Sequence, residues 1–493
     1  MRRGIDAGSL SGVLAFGGPL ALYTATLSPG VAFWDTGEMQ TVPWILGIPH
    51  PTGFPLFVLG GWLFSHVVPF GMPAWRLSLF SASAMAAAAW LLWRLISNVT
   101  GSAVAGLGAA FAFAAGDIVW TRAVRAEVHD VLLACIALAV VAAQRAGATG
   151  SERWLVVAGA ACGLGLATHP AAMFALPCVI ILAWPAFARV RLRAAIGALG
   201  ALVAPLALYA YIPLRSAYVE ANHLDPNWDL GLSGSALFDD GSPSSLPAFL
   251  RYVTGATFRP GATFGRILSI AGIQKAFGLW HDAVSTEFGI AMLLFATAGF
   301  VWLMMRQRRL GAGLVTLLVA NLAFAGNYRI ETDALRYALP ALWVMVAFAA
   351  FGTTWIASAI MRDRSAAAQW IAAGLLIAAL YPGAGAAFDD VRRTVAFNDA
   401  TAIGADIAAH TPDGTLFVAT WNFATPLAYS AYVAHTFGAR RLICGWPPDY
   451  ATQYAGWRAR FKHVYVVVSS KYDARSFARP LYLKGRWQLA EMR

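Results

Sequence analysis

"AAMFALPCVIILAWPAFARVRLRAAIGALGALVAPLALYAYIPLRS", residues 171–216, holds two apolar runs, 171–187 and 195–213, joined by a link that carries Arg189, Arg191 and Arg193. A helix needs roughly 17–25 apolar residues to cross the hydrocarbon core of a bilayer. Each run meets that length, and a basic link between two such runs is the mark of a polytopic membrane protein. The rest of the 493 residues repeats the pattern: 59% are hydrophobic and only 12% charged, far more apolar than a soluble domain requires.

Counting outward from that stretch, apolar runs lie at 11–28, 75–96, 102–120, 127–144, 154–169, 171–187, 195–213, 287–305, 310–327, 337–359 and 366–385, which is eleven spans. A further stretch, 52–69, is broken by Pro55 and Gly60-Gly61 and reads as a helix lying on the outer interface. Counting it as a span would invert every later arginine cluster. Without it, Arg2 and Arg3, Arg94, Arg145 with Arg153, the 189–193 cluster, Arg306 with Arg308 and Arg309, and Arg362 with Arg364 all fall on one side. The positive-inside rule places that side, and the N-terminus, in the cytoplasm and the C-terminus outside. The compartment expected is a bacterial inner membrane.

The net charge of +11 does not point to nucleic acid, because the cations sit between apolar runs and not on one water-soluble face. The first run resembles a signal peptide in its flanking arginines, but Ser28-Pro29-Gly30 lacks a small-x-small site, so no cleavage is expected. Cys135, Cys162 and Cys178 lie within spans and Cys444 stands alone in the tail, so disulfides are not expected to hold the fold.

The fold expected is mainly α: a polytopic transmembrane helical bundle of about 11 spans, with outer interfacial helices and a small C-terminal α/β domain. Residues 1–385 form the membrane module, with long outer loops at 29–74 and 214–286, and residues 386–493 form the soluble domain. Within the second loop, "LPAFLRYVTG" and "FGRILSIAGIQKAFGLWHDAV" read as amphipathic helices after the irregular "DPNWDLGLSGSALFDDGSPSS". In the tail, "TLFVAT", "RRLIC" and "HVYVVVSS" read as strands, with helices near 424–437 and 449–460, an alternation that predicts a parallel sheet.

The chemistry gathers in the outer loops. "WDTGEMQTVPWILGIPHPTGFPLF" begins at Trp34 and places Asp35 and Glu38 three apart, on one face if the segment is helical, ahead of His50. Ionisable groups between membrane helices tend to be functional. One carboxylate can take the proton of a hydroxyl nucleophile while the other orients it or helps hold a divalent cation. "DIVWTRAVRAEVHD", 117–130, read as a continuing helix, sets Arg122, Arg125 and His129 on one stripe and Glu127 and Asp130 on the next. Arginines on the outer side run against the orientation bias, and their planar forks suit a phosphate. His169-Pro170, Arg215 in "YIPLRS", and Arg329, Glu331, Asp333 and Arg336 in "NYRIETDALRYALP" face the same side. Phosphate-loop, paired-histidine metalloprotease and Gly-x-Ser-x-Gly signatures are missing from the sequence. A carboxylate base with several arginines suits transfer of a group from a lipid phosphate to a hydroxyl.

The order Trp34-Asp35-Thr36-Gly37-Glu38, "LGIPHPTGFPLF" and "WRLSLFSASAMAAA" resembles the first outer loop and second span of GT-C glycosyltransferases, most narrowly the protein O-mannosyltransferase-like family. "AEVHD", "LATHP", "YIPLRS", "NW" at 227–228 and "LRYALP" extend the likeness over roughly the first 340 residues. His129 stands where that family tends to carry Tyr, and Asp229 follows Trp228 directly. The resemblance implies a GT-C-like bundle and a sugar donor carried on polyprenyl phosphate, with mannose as the family's suggestion. It also implies inversion at the anomeric carbon and a hydroxyl acceptor on protein, lipid or glycan. Asp35 is then the base and Glu38 its partner. Arg122, Arg125, Arg215 and Arg336 take the donor phosphate, across the sugar from Asp35. His50, Glu127, His129, Asp130 and His169 contact substrate. The one cofactor open to such a site is a divalent cation held at Asp35 and Glu38. The other class of function open to such a chain is a transporter or flippase of a lipid-linked or anionic substrate. That class favours internal repeats and midplane charges, whereas here the charges gather at the outer ends of spans.

Overall fold

The computed structural model describes residues 7–256, 267, 269–328, 334–362, 365–450, 452–472, 474–476 and 478–492. Every apolar run falls on a helix or a broken helix. The first four runs map to α1 (Ala7–Ala25), α4 (Pro73–Thr100), the pair α5 (Ala103–Ala114) and α6 (Asp117–Ala123), bent by 73°, and α7 (Val128–Thr149), with α2 (Asp35–Ile45) and α3 (Pro55–Val67) inserted after the first. The remainder follow as α8 (Glu152–Thr168) and helical segments 170–187, 192–221, 290–306, 308–326, 339–361 and 366–398. Among the described residues six helices are long and apolar enough to cross a membrane, or nine if each bent pair counts as one. The chain is an integral membrane protein whose span count by length alone falls below the eleven expected, because several runs are short or bent.

Local signals set the helix ends. Gly101 ends α4 with φ 76°, and the Ser102 hydroxyl then accepts the Ala105 N–H at 3.0 Å to start α5. The main core lies among α4, α5, α7 and the helix Leu339–Met361, where alanine-rich faces allow close approach. Trp343, fully buried there, donates its indole N–H to the Ala88 carbonyl of α4 at 3.0 Å. Burying the ring while satisfying its one donor makes the tie favourable on both counts.

The first outer loop folds onto this bundle. Gln40 on α2 accepts the Ala32 N–H at 2.8 Å and donates to the Gly30 carbonyl and Ser78 hydroxyl, both at 3.1 Å. It thereby satisfies the turn before α2 and clamps it to α4. In the second outer loop, the helices Leu246–Val253 and Ile270–Glu287 are where the amphipathic patterns put them, while most of 257–268 lies outside the described residues. The backbone at 238–240 pairs with Ile48, whose N–H donates to the Phe238 carbonyl at 3.0 Å.

The last membrane helix runs through residue 385 to Asn398, with a 53° bend between Ala366–Leu380 and Gly385–Asn398. Beyond it lies a five-stranded sheet ordered β2-β1-β3-β5-β4, with β1 Leu416–Ala419, β2 Arg441–Cys444, β3 Val464–Ser469, β4 Ala478–Lys484 and β5 Trp487–Met492. The sheet is mixed and not parallel throughout. β1 pairs β2 and β3 in parallel, but β4 and β5 form an antiparallel hairpin whose β5 joins β3. The two-residue turn at Gly485, φ 56°, supplies the hairpin signal. Strand β4 escaped the sequence pattern because it is an edge strand with mostly exposed side chains. The intervening helices are Trp421–Tyr432 and Tyr454–Arg460, starting three residues before and five after the expected positions 424 and 449.

Candidate functional site

Asp35 opens α2. Its Oδ1 accepts the Trp421 indole N–H at 2.8 Å and its Oδ2 accepts an Arg336 N–H at 2.9 Å, while the side chain stays 27% exposed. Burial opposes ionisation of Asp35. The His50 charge, Arg336 and the two N–H donors overcome it and hold the carboxyl below its ordinary value. The backbone around it is strained: Trp34 at φ 63° and Phe54 at φ 45° are both left-handed without being glycine, a conformation that costs about 1–2 kcal/mol for an L-residue. Gly37 in the first turn is required by space, since a Cβ there would lie 2.3 Å from the Ala32 carbonyl and 3.0 Å from the Thr425 hydroxyl. Only glycine lets α2 approach the helix Trp421–Tyr432 so closely.

Glu38 shares that first turn but is fully buried. One oxygen accepts the His50 backbone N–H at 2.6 Å and the other meets His50 Nδ1 at 2.5 Å. Burial disfavours a charged imidazole, yet Glu38 outweighs it, with Asp35 and Asp240 adding to the effect, and the pKa of His50 is pushed up to about 9. His50 therefore carries the proton of this pair, and Glu38 acts on the site by holding His50.

The continuous helix expected over 117–130 is broken. α6 stops at Ala123, and Glu127 becomes the N-cap of α7, so the two stripes do not exist. The break instead folds the arginines back onto Glu127: Arg122 and Arg125 each hold an N–H nitrogen 3.8 Å from its Oε2, while its Oε1 meets His129 Nδ1 at 2.7 Å. At 3.8 Å these are ion pairs outside hydrogen-bond range. Arg125 Nε is buried with no hydrogen-bond partner among the described residues. The charge of Arg336 acts on both Glu127 and Arg125, so the three guanidinium groups form one neighbourhood.

Aromatic contacts close the circuit between the acidic and basic halves. Tyr337 meets His129 (4.5 Å between centroids), His129 meets His169 (5.2 Å), His169 stacks on Phe54 (5.7 Å), Phe54 meets His50 (5.1 Å), and His50 meets Trp421 (5.9 Å). Asp35, Glu38, His50, Arg122, Arg125, Glu127, His129, His169 and Arg336 thus belong to one site. Asp130 lies beside it, fully buried with both oxygens unpartnered among the described residues. Arg215 does not join. Its Nε donates to the Leu46 carbonyl at 2.8 Å, at the far end of α2 from Asp35, about 16 Å along a helix of that length. Arg336 is also not across from Asp35 as expected but bonded to it. Arg329, Glu331 and Asp333 lie outside the described residues.

The sequence reading missed Trp421 and Asp240. Trp421 follows β1 directly, and a single tryptophan after a strand carries no signal of a partner 386 positions away. Asp240, in the acidic "FDDGS", is set against Glu38 and His50 by the Ile48 pairing; burial, then Glu38, raises its pKa to about 7.

Asp35, Glu38 and His50 offer ligand atoms within 4.8 Å of one another, the geometry of a cation site. The residues do not fit one as arranged. Glu38 holds Nδ1 of His50, and the Arg336 guanidinium at 2.9 Å from Asp35 would repel a dication. The observed arrangement is an ion-pair network.

The fold is that of a polytopic membrane protein with a C-terminal α/β layer set against its first outer loop. The chain superposes on the crystal structure of ArnT from Cupriavidus metallidurans bound to undecaprenyl phosphate over 97% of each chain, with a TM-score of 0.55 at 13% identity, a likeness of fold. Residues 35–190 match the family described as the protein O-mannosyl-transferase TMEM260 N-terminal domain. The chain is 31% identical to the Mus musculus protein O-mannosyl-transferase TMEM260 over 179 residues, 35% of this chain and 26% of that protein. It is 29% identical to the Dictyostelium discoideum tmem260 protein over 120 residues, 24% of this chain and 15% of that one. The match thus spans about a quarter or less of those relatives. The matched segment begins at Asp35 and holds Glu38, His50, Arg122, Arg125, Glu127, His129, Asp130 and His169, whereas Arg215, Arg336 and Trp421 lie beyond it.

Proposed function

We propose that this chain is a membrane glycosyltransferase that moves a sugar, mannose by likeness to its relatives, from a polyprenyl-phosphate donor to a hydroxyl acceptor with inversion. The reaction takes place at the outer face of a bacterial inner membrane, with the N-terminus in the cytoplasm and residues 386–493 outside as a soluble domain. The observation that carries the reading is Asp35: one partly exposed carboxylate, held ionised by Arg336 and Trp421, with Arg336 also acting on Glu127, around which Arg122 and Arg125 gather.

Each Asp35 oxygen accepts one N–H and keeps lone-pair capacity for another, so an acceptor hydroxyl can donate to it. As the acceptor oxygen bonds to the anomeric carbon, its proton passes to Asp35 and the bond to the phosphate breaks with its electron pair. A phosphate is a competent leaving group without a general acid, but its growing charge needs stabilising. Arg122 and Arg125, gathered around Glu127, can meet it in a site of low dielectric. Base and leaving group on opposite faces of the sugar give inversion. Arg336 takes the nearer role of keeping Asp35 ionised, and Glu38 acts through His50.

The test is purified protein with radiolabelled polyprenyl-phosphate mannose and, separately, a nucleotide-activated mannose. Release of lipid phosphate from the first alone supports the reading. Turnover of the nucleotide sugar would contradict it, as would movement of the intact lipid across proteoliposomes without bond cleavage.

A further inference from the structure

The helix Trp421–Tyr432 begins at the carboxyl end of β1, the middle strand of the parallel set β2-β1-β3. Connections from β1 and β3 leave to opposite sides of such a set, and ligands of open α/β sheets bind in the crevice that opens between them. Here that crevice faces the first outer loop. Trp421 crosses to Asp35 Oδ1 at 2.8 Å, Phe423 meets the Phe33 ring edge-on at 5.8 Å, and Arg486 from the β4–β5 turn lies 4.2 Å over Phe33. The part of the α/β layer where such folds do their work is thus set against the proposed base.

From this geometry we infer that Trp421 is a positioning residue for Asp35, so that the C-terminal layer completes the reaction centre instead of merely covering it. The inference rests on the transferase reading above. Asp35 sits on the first turn of α2 with solvent on one side, and a carboxylate there has two-fold freedom about its terminal torsion. Arg336 fixes one oxygen and Trp421 the other, so the plane of the carboxylate is set only when both are bonded. The groups facing it are His50 and Glu38 from the first loop, Arg336 from the outer link, Arg125 at the end of α6, and Trp421 from the α/β layer. Of these, Trp421 alone comes from beyond the membrane helices. Orientation of a base matters steeply, because small displacements from an attacking geometry lose large factors in rate. The indole also sits edge-on to the His50 ring, 5.9 Å between centroids, so one side chain neighbours both Asp35 and His50.

The test uses full-length protein and polyprenyl-phosphate mannose, reading donor binding and turnover separately in Trp421→Phe, Trp421→Gln and Asp35→Asn. Phe keeps a ring but no N–H. Gln keeps an N–H at similar reach but no ring. The expected result is that Trp421→Phe binds donor within about twofold of the parent while turnover falls about tenfold or more, the size of one lost charge-assisted bond, and that Trp421→Gln recovers most of the rate. The reverse order, with Phe near the parent and Gln impaired, would make Trp421 a packing residue and overturn the inference while leaving Asp35 as the base. Should Asp35→Asn turn over normally, Asp35 is not the base and this inference fails, while the transferase reading stands; loss of lipid-donor turnover in the parent protein would instead overturn that reading. Equal loss of donor binding and folding in both Trp421 variants, read by thermal unfolding, would likewise overturn it.

Discussion

His50 shows how one residue can be legible by type and hidden in role. Its place after Asp35 and Glu38 marks it for the site, but the sequence does not reveal that Glu38 takes both its backbone and ring N–H groups. The bond raises the folded-state pKa from 6.5 to about 9. A raised folded pKa means stability that is fully present below the unfolded value and lost as pH climbs through the folded one. The contribution of His50 should therefore decline between pH 6.5 and about 9. Thermal unfolding of His50→Gln against the parent should show the gap narrowing across that window, and a gap that widens would contradict the ion pair. Glu38→Gln should behave as a milder lesion than Asp35→Asn, because Glu38 is fully buried and reaches substrate only through His50.

Elements explain what the pattern could and could not give. Asp35 and Glu38 fall on a single helical turn as their spacing requires, and the eleven apolar runs fall on helices, since both readings rest on periodicity and length. The break between α6 and α7 was not legible, because nothing in "RAVRAE" forbids a helix; the fold chooses Glu127 as a cap, and only then do Arg122 and Arg125 converge on it. Arg122→Lys and Arg125→Lys should each weaken donor binding by about tenfold despite keeping the charge, as a forked contact becomes a point contact. Arg215→Lys should leave donor binding near the parent value, because Arg215 is bonded to Leu46 at the other end of α2. Titration of the lipid donor against the three variants separates them. At the interface of α2 with the helix Trp421–Tyr432, Gly37→Ala forces a Cβ to within 2.3 Å of a backbone carbonyl. It should lower stability by about 1–3 kcal/mol, as overpacking does, measured as a shift in thermal unfolding.

Across the whole molecule, the bond from Asp35 to Trp421 requires that the first outer loop and the C-terminal layer share one side of the membrane. Gly150 ends α7, which spans 22 residues from Val128, or about 33 Å at 1.5 Å per residue, the thickness of a hydrocarbon core. Reporters at Gly150 and at the C-terminus should therefore lie on opposite sides, with Gly150 in the cytoplasm; the same readout from both would break the arrangement. Such long-range facts were not written in local pattern. Composition gave the bundle, and motif gave the first loop. The joining of residue 35 to residues 336 and 421 depends on tertiary contacts separated by hundreds of positions, with no periodicity to announce them.

The account turns on Asp35 as the proton acceptor. The most direct measurement is turnover of polyprenyl-phosphate mannose by purified Asp35→Asn alongside its donor binding. Asparagine keeps the shape and the capacity to accept the Trp421 N–H but takes no proton, and a positioned general base contributes about 10²–10⁴-fold. The predicted result is a rate reduced by a factor in that range with donor affinity within a few-fold of the parent. Near-normal turnover would contradict the central claim.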